Sequence, residues 1–120
     1  MEGIEVVLLK GRFHYYEGFD AREILFPYFV LEKMGIKSVI TVNAVGGIRH
    51  DLEVGNILLV TDHINFMGSN PLRGISVHSE NQFPDLSEPY DLEYQKLAQE
   101  EADRLGIEIK EGVLLSPTGP

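Results

Sequence analysis

Residues 5–18, Glu5-Val6-Val7-Leu8-Leu9-Lys10-Gly11-Arg12-Phe13-His14-Tyr15-Tyr16-Glu17-Gly18, decide how the rest of the chain is read. The unbroken apolar run Val6-Val7-Leu8-Leu9 shows no alternation. It predicts a strand over 5–10 covered on both faces, as at the centre of a parallel sheet. That strand runs straight into an arginine and a histidine two positions apart, set between Gly11 and Gly18. On an extended backbone such positions share a side, so Arg12 and His14 project together from the strand's carboxyl end. An arginine fork matches two phosphate oxygens at once, which lysine does not do. The competing reading is a structural salt bridge at Arg12 and a satisfied histidine at 14.

Beyond this stretch, Ile24, Leu25, Tyr28, Leu31 and Met34 recur at helical spacing and predict a helix over 21–34, closed by Gly35. Pro27 inside it predicts a kink or a late start. Ser38-Val39-Ile40-Thr41-Val42 is a second β-branched run of interior-strand type. It leads into the small-residue turn Asn43-Ala44-Val45-Gly46-Gly47. A turn at 54–56 feeds a third strand over 57–61. Strand, helix, strand in this order implies a parallel crossover and an α/β fold, part of a mixed, largely parallel sheet with flanking helices.

From 64 to 90 periodicity fades among Gly, Pro, Asn and Ser. A connection of that length is expected to be functional, disordered or packed on a partner. A helix over 91–105 follows, with Asp91 as cap, Tyr94, Leu97, Ala98, Ala102 and Leu105 as its apolar stripe, and Gly106 at its end. Glu100 and Arg104 stand at i,i+4 spacing and read as surface support. A fourth strand is expected over 112–116. The domain organisation is a single partial domain over 1–120.

Ten basic against nineteen acidic residues give a formal net charge of −9. A surface of that sign repels nucleic acid and anionic lipid. An anion site must then be a local pocket working against the overall field, which gives Arg12 and His14 added weight. With no cysteine there is no disulfide framework, thiolate chemistry or cysteine zinc site. Met1 is not followed by a signal core, so a cytoplasmic location is expected. His50, His63 and His78 lack metal-ligand spacing, and Asp62-His63 reads as a structural pair at a strand end. Tyr15 and Tyr16 are expected to face opposite ways, one of them into the core.

The turn 43–47 is neither a Walker loop nor a dinucleotide fingerprint. It reads as an ordinary strand-end turn or as backbone open to close approach by an anion or a flat ring. Together with Arg12 and His14 it would lie at the carboxyl ends of adjacent parallel strands, where such sheets bind ligands.

Residues 11–18, 41–48 (Thr-Val-Asn-Ala-Val-Gly-Gly-Ile), 54–65, 70–74 (Asn-Pro-Leu-Arg-Gly) and 83–91 together resemble the purine nucleoside phosphorylases. The resemblance is to the trimeric class that takes inosine and guanosine, with the motifs in order along essentially the whole chain. It implies reversible phosphorolysis of purine nucleosides to free purine and (deoxy)ribose 1-phosphate. Phosphate is the co-substrate, and neither metal nor organic cofactor is required. It also implies that Arg12, His14 and the Ala44 backbone bind phosphate, that Tyr16 meets the ribose, and that Val45 and Gly46 wall the purine. Phe83 would reach across a trimer interface to the neighbour's ribose.

Family members also carry a serine loop before this region and a glutamate and an asparagine after it. The resemblance therefore makes these residues a central segment of the family's chain, holding one side of the phosphate site. A truncated, inactive product is one alternative expectation, and a methylthioadenosine phosphorylase is another.

Overall fold

The computed structural model describes residues 3–73 and 83–119. Residues 74–82, with His78 and the middle of the long connection, lie outside the described part. The chain divides into two compact units, Met1–Val39 with Thr118–Pro120, and Ile40–Pro117.

In the first unit the main element is helix α1, Ala21–Lys33. Its start is fixed by a capping box: the Asp20 carboxylate accepts from the N–H of Arg22 and Glu23, while Glu23 accepts from the Asp20 N–H at 2.8 Å. Pro27 neither delays the helix nor ends it. It sits in the interior, so the Glu23 carbonyl receives no N–H from four residues on. At the other end Gly35 takes φ +87°, and the Gly35 and Ile36 amides return to the carbonyls of Glu32 and Leu31. This is the paired closure that a glycine just past a helix permits.

The second unit is built as strand, helix, strand: β1 Ile57–Asn65, α2 Leu92–Leu105 and β2 Ile109–Ser116. The strands are parallel, with Ile57 opposite Ile109 and Asn65 opposite Ser116, and the register shifts between Val60 and Asp62. The fold is therefore α/β with a parallel pairing across a helical crossover, as the residue pattern implies. Both strands outrun their expected limits. β1 continues past Thr61 because Asp62, His63 and Ile64 find partners in Val113, Leu114 and Leu115, and β2 starts at Ile109 for the same reason. The opening of the long connection is thus strand. The Asn65 side chain then turns the chain, accepting from Met67 N–H and donating to the Ser69 carbonyl.

Helix α2 has the expected ends. Asp91 accepts from the N–H of Glu93 and Tyr94, and Gly106 closes the last turn at φ +67°. The helix packs on β1, with Ala102 buried and Tyr94, Leu97 and Leu105 exposed. Arg104 does not pair with Glu100. Its Nε donates to Glu101 Oε2 at 2.8 Å, one residue nearer, and Glu100 faces Lys96. Both carboxylates are within reach on a helix surface, and the closer one took the guanidinium.

Two expected strands differ from the structure. Residues 5–10 and 38–42 form no ladder among the described residues, and Leu8 and Val42 are each 88% exposed. A strand is held by backbone hydrogen bonds to a neighbour, so a β-branched run without a partner strand stays outside the sheet. Among the described residues, no helix is long and apolar enough to cross a membrane.

Candidate functional site

The expected site residues fall on both units. Arg12, His14 and Tyr16 belong to the first, and Ala44, Val45, Gly46 and Phe83 to the second.

The arm 11–18 is shaped by short-range bonds. Gly11 adopts φ +103°, and its N–H turns back to the Leu9 carbonyl at 3.1 Å. His14 is extended and opens a single 3₁₀ turn over Tyr15–Glu17, which Gly18 ends at φ +97°. Glu17 reaches back over that turn. Its Oε2 accepts from the His14 backbone N–H at 2.7 Å and meets His14 Nδ1 at 3.0 Å. These contacts, the backbone bond first, hold the Glu17 carboxyl below its ordinary range. An ionised carboxylate can only accept, so His14 Nδ1 carries a proton. Nε2 is then the ring atom left to meet an oxyanion. It can donate as an imidazolium or accept from a phosphate hydroxyl as a neutral ring.

Arg12 is exposed, with no hydrogen-bond or ion-pair partner among the described residues. The two competing readings thus divide. His14 is satisfied on one nitrogen, whereas Arg12 is not engaged in a structural salt bridge. Arg12 also rims an open groove of about 410 Å³ whose apolar walls include Leu8, Leu9, Phe13, Ile24 and Tyr28. The Tyr16 ring stacks on the His14 imidazole, with centroids 5.0 Å apart and planes 23° apart. Neither neighbouring tyrosine is core, since Tyr15 is 37% and Tyr16 59% exposed. The expectation of opposite faces assumed a strand, and a 3₁₀ turn spaces neighbours differently.

In the second unit Ala44, Val45 and Gly46 lie on open, non-helical backbone, and a side chain built on Gly46 would meet nothing within 4 Å. Gly47 is different. A Cβ there would lie 3.1 Å from the Leu52 Cβ. Neither glycine has a positive φ, so a side chain at Gly47 would crowd Leu52 and would not strain the backbone. Phe83 is largely exposed. Asp62 accepts from the His63 backbone N–H at 2.7 Å and does not meet its ring. The His63 ring instead meets Tyr90 edge-on, with centroids 5.7 Å apart. Burial, and secondly the Asp62 charge, push the Tyr90 hydroxyl up from its ordinary value.

The sequence reading missed a cluster below the turn 43–47. Arg49 forks onto Asp51, with Nε to Oδ1 at 3.0 Å and Nη2 to Oδ2 at 2.6 Å, while its Nη1 donates to the Glu111 carbonyl. Lys110 Nζ donates to the Asp51 carbonyl. The Arg49–Asp51 spacing was the available signal for the pair, but nothing local points to Lys110 and Glu111.

The described residues thus combine a parallel α/β pairing with an unpaired arginine two positions from an anchored histidine. The family model of the phosphorylase superfamily matches residues 2–120, and the chain belongs to that superfamily. It is 40% identical over 121 residues to purine nucleoside phosphorylase 1 of Bacillus subtilis, covering 100% of this chain and 45% of that protein. A crystal structure of purine nucleoside phosphorylase in complex with ribose-1-phosphate matches with a TM-score of 0.85 and 33% identity, over 92% of this chain and 43% of the other. The Schistosoma mansoni purine nucleoside phosphorylase in complex with inosine matches with a TM-score of 0.76 and 32% identity, over 92% and 41%. The chain thus spans less than half the length of the relatives it matches.

Proposed function

We propose that these residues serve a purine nucleoside phosphorylase of the trimeric class, acting in purine salvage in the cytoplasm. The observation that carries this is the 40% identity maintained over the whole chain with a protein of that activity. The unpaired guanidinium of Arg12 and the fixed ring of His14 support it.

In the proposed reaction the bond from the anomeric carbon to the purine nitrogen breaks, and a bond from that carbon to a phosphate oxygen forms. The electron pair leaves on the purine, which takes up a proton. Positive charge develops on the sugar ahead of attack, so the bound phosphate acts both as nucleophile and as counter-charge. Arg12, His14 and the Ala44 N–H would hold that anion beside the anomeric carbon, which is catalysis by positioning and electrostatics. Tyr16 would meet the ribose hydroxyls, Val45 and Gly46 would wall the purine, and Phe83 would close the neighbouring subunit's ribose site. No step calls on a metal or an organic cofactor.

The test is a phosphate-dependent assay on the protein carrying these residues, with inosine, guanosine and methylthioadenosine as substrates. Release of hypoxanthine or guanine that requires phosphate is expected. Preference for methylthioadenosine, or nucleoside cleavage indifferent to phosphate, would overturn the assignment.

A further inference from the structure

The cluster formed by Arg49, Asp51, Lys110 and Glu111 joins the segment after the small-residue turn to the beginning of β2. Two of its bonds cross 62 and 59 residues of sequence, from Arg49 to the Glu111 carbonyl and from Lys110 to the Asp51 carbonyl. Gly112 makes room for it, since a Cβ there would stand 3.4 Å from Arg49 Nη1 and 3.2 Å from a Leu58 methyl. The segment is also closed on itself. Leu52 N–H returns to the Arg49 carbonyl at 3.2 Å, and Leu52 packs against Gly47.

We propose that Arg49 is a positioning residue: through its fork on Asp51 and its bond to β2 it fixes residues 47–52, and with them the Ala44–Gly46 backbone that meets phosphate and purine. The last clause depends on the proposed function; the clamp itself does not. Chemistry favours this role over simple stabilisation. The Arg49 and Asp51 side chains are half exposed, and ion pairs in water contribute little to stability. What a bidentate arginine supplies at such a site is direction, because two parallel bonds fix the plane of the fork and the third nitrogen then points one way. The sheet is the rigid partner and the turn is the part held. Gly47 carries the constraint onward, since it lies so near Leu52 that a Cβ on it would stand 3.1 Å from the Leu52 Cβ.

The experiment compares Arg49→Gln, Arg49→Lys and Asp51→Asn with the unsubstituted protein in phosphorolysis kinetics, thermal unfolding and amide hydrogen exchange. Arg49→Gln is expected to raise the phosphate KM about tenfold, because small misplacements of a binding group are costly. Its kcat and melting temperature should change far less, and the Leu52 amide, bonded to the Arg49 carbonyl, should exchange faster. Arg49→Lys keeps one bond at a time and should fall between. Asp51→Asn retains an acceptor, gives a milder form of the same pattern, and carries the test if Arg49→Gln does not fold. A lowered melting temperature with unchanged phosphate KM and unchanged exchange of the Leu52 amide would make Arg49 merely structural and overturn the proposal. If the unsubstituted protein cleaves no nucleoside, the proposed function fails by itself. Exchange of the Leu52 amide then decides the clamp: faster exchange in Arg49→Gln supports it, and identical exchange refutes it.

Discussion

The two segments that hold most of the candidate site residues are held in opposite ways. The arm 11–18 is secured by partners at most three residues away: Glu17 on His14, Gly18 on Tyr15 and Gly11 on Leu9. The turn 43–52 depends on β2, with Arg49 and Asp51 bound to residues about half the chain away. Local bonds form wherever their few residues can adopt the geometry, whereas the turn takes shape only once β1 and β2 are paired. The arm is a self-contained local feature. The turn is a tertiary feature.

The largest expected effect falls on the arm and removes its chemistry without touching its structure. Arg12→Ala deletes a side chain that holds nothing in place, so folding should be unchanged, while kcat/KM for phosphate should drop about 100-fold or more. Arg12→Lys should recover little of it, since an ammonium does not replace the fork. A variant in which phosphate dependence survives would remove Arg12 from the site. On the turn the matching test is steric. Gly47→Val places atoms against Leu52 and should destabilise the second unit by about 1–3 kcal/mol through overpacking, read by chemical denaturation. Leu52→Ala added to it should restore part of the loss. An arm that melted together with the turn in these variants would break the contrast between local and long-range anchoring.

The same contrast explains what the sequence discloses. Helix α2 was legible at both ends because Asp91 and Gly106 act within one turn. The capping box at Asp20 and Glu23 has an equally local spacing, which the sequence reading did not use. Apolar runs announced their strand preference but not their pairing. Residues 57–61 and 38–42 look alike in sequence, yet only the first lies in a ladder. Pairing depends on a partner strand, and the relatives are more than twice as long as this chain. Arg12 and His14 could be picked out by type and spacing. Arg49 could not, because its meaning comes from Glu111 and Lys110, which the fold alone brings near.

Smaller effects separate local contributions further. Asp20→Ala and Asp91→Ala each delete a carboxylate that accepts two helix N–H groups, at a cost of about 1 kcal/mol in denaturant titration. The effect should stay within the altered unit. Equal losses in both units would mean that they unfold as one.

The smallest effect is a titration inside the arm. The Glu17 carboxyl lies below its ordinary value of 4.5. A depressed carboxylate stabilises the fold above its unfolded pKa and loses that contribution as pH falls through its folded pKa. At neutral pH it is therefore fully charged, and the arm should loosen only below pH 4.5. The His14 backbone N–H comes first among the causes and its ring second. His14→Ala keeps the backbone donor and should return the Glu17 midpoint only part of the way, as read by carbon-detected NMR. Full return would assign the whole shift to the imidazole. The turn would then be held by an ion pair, and the local backbone bond that distinguishes this arm would be incidental.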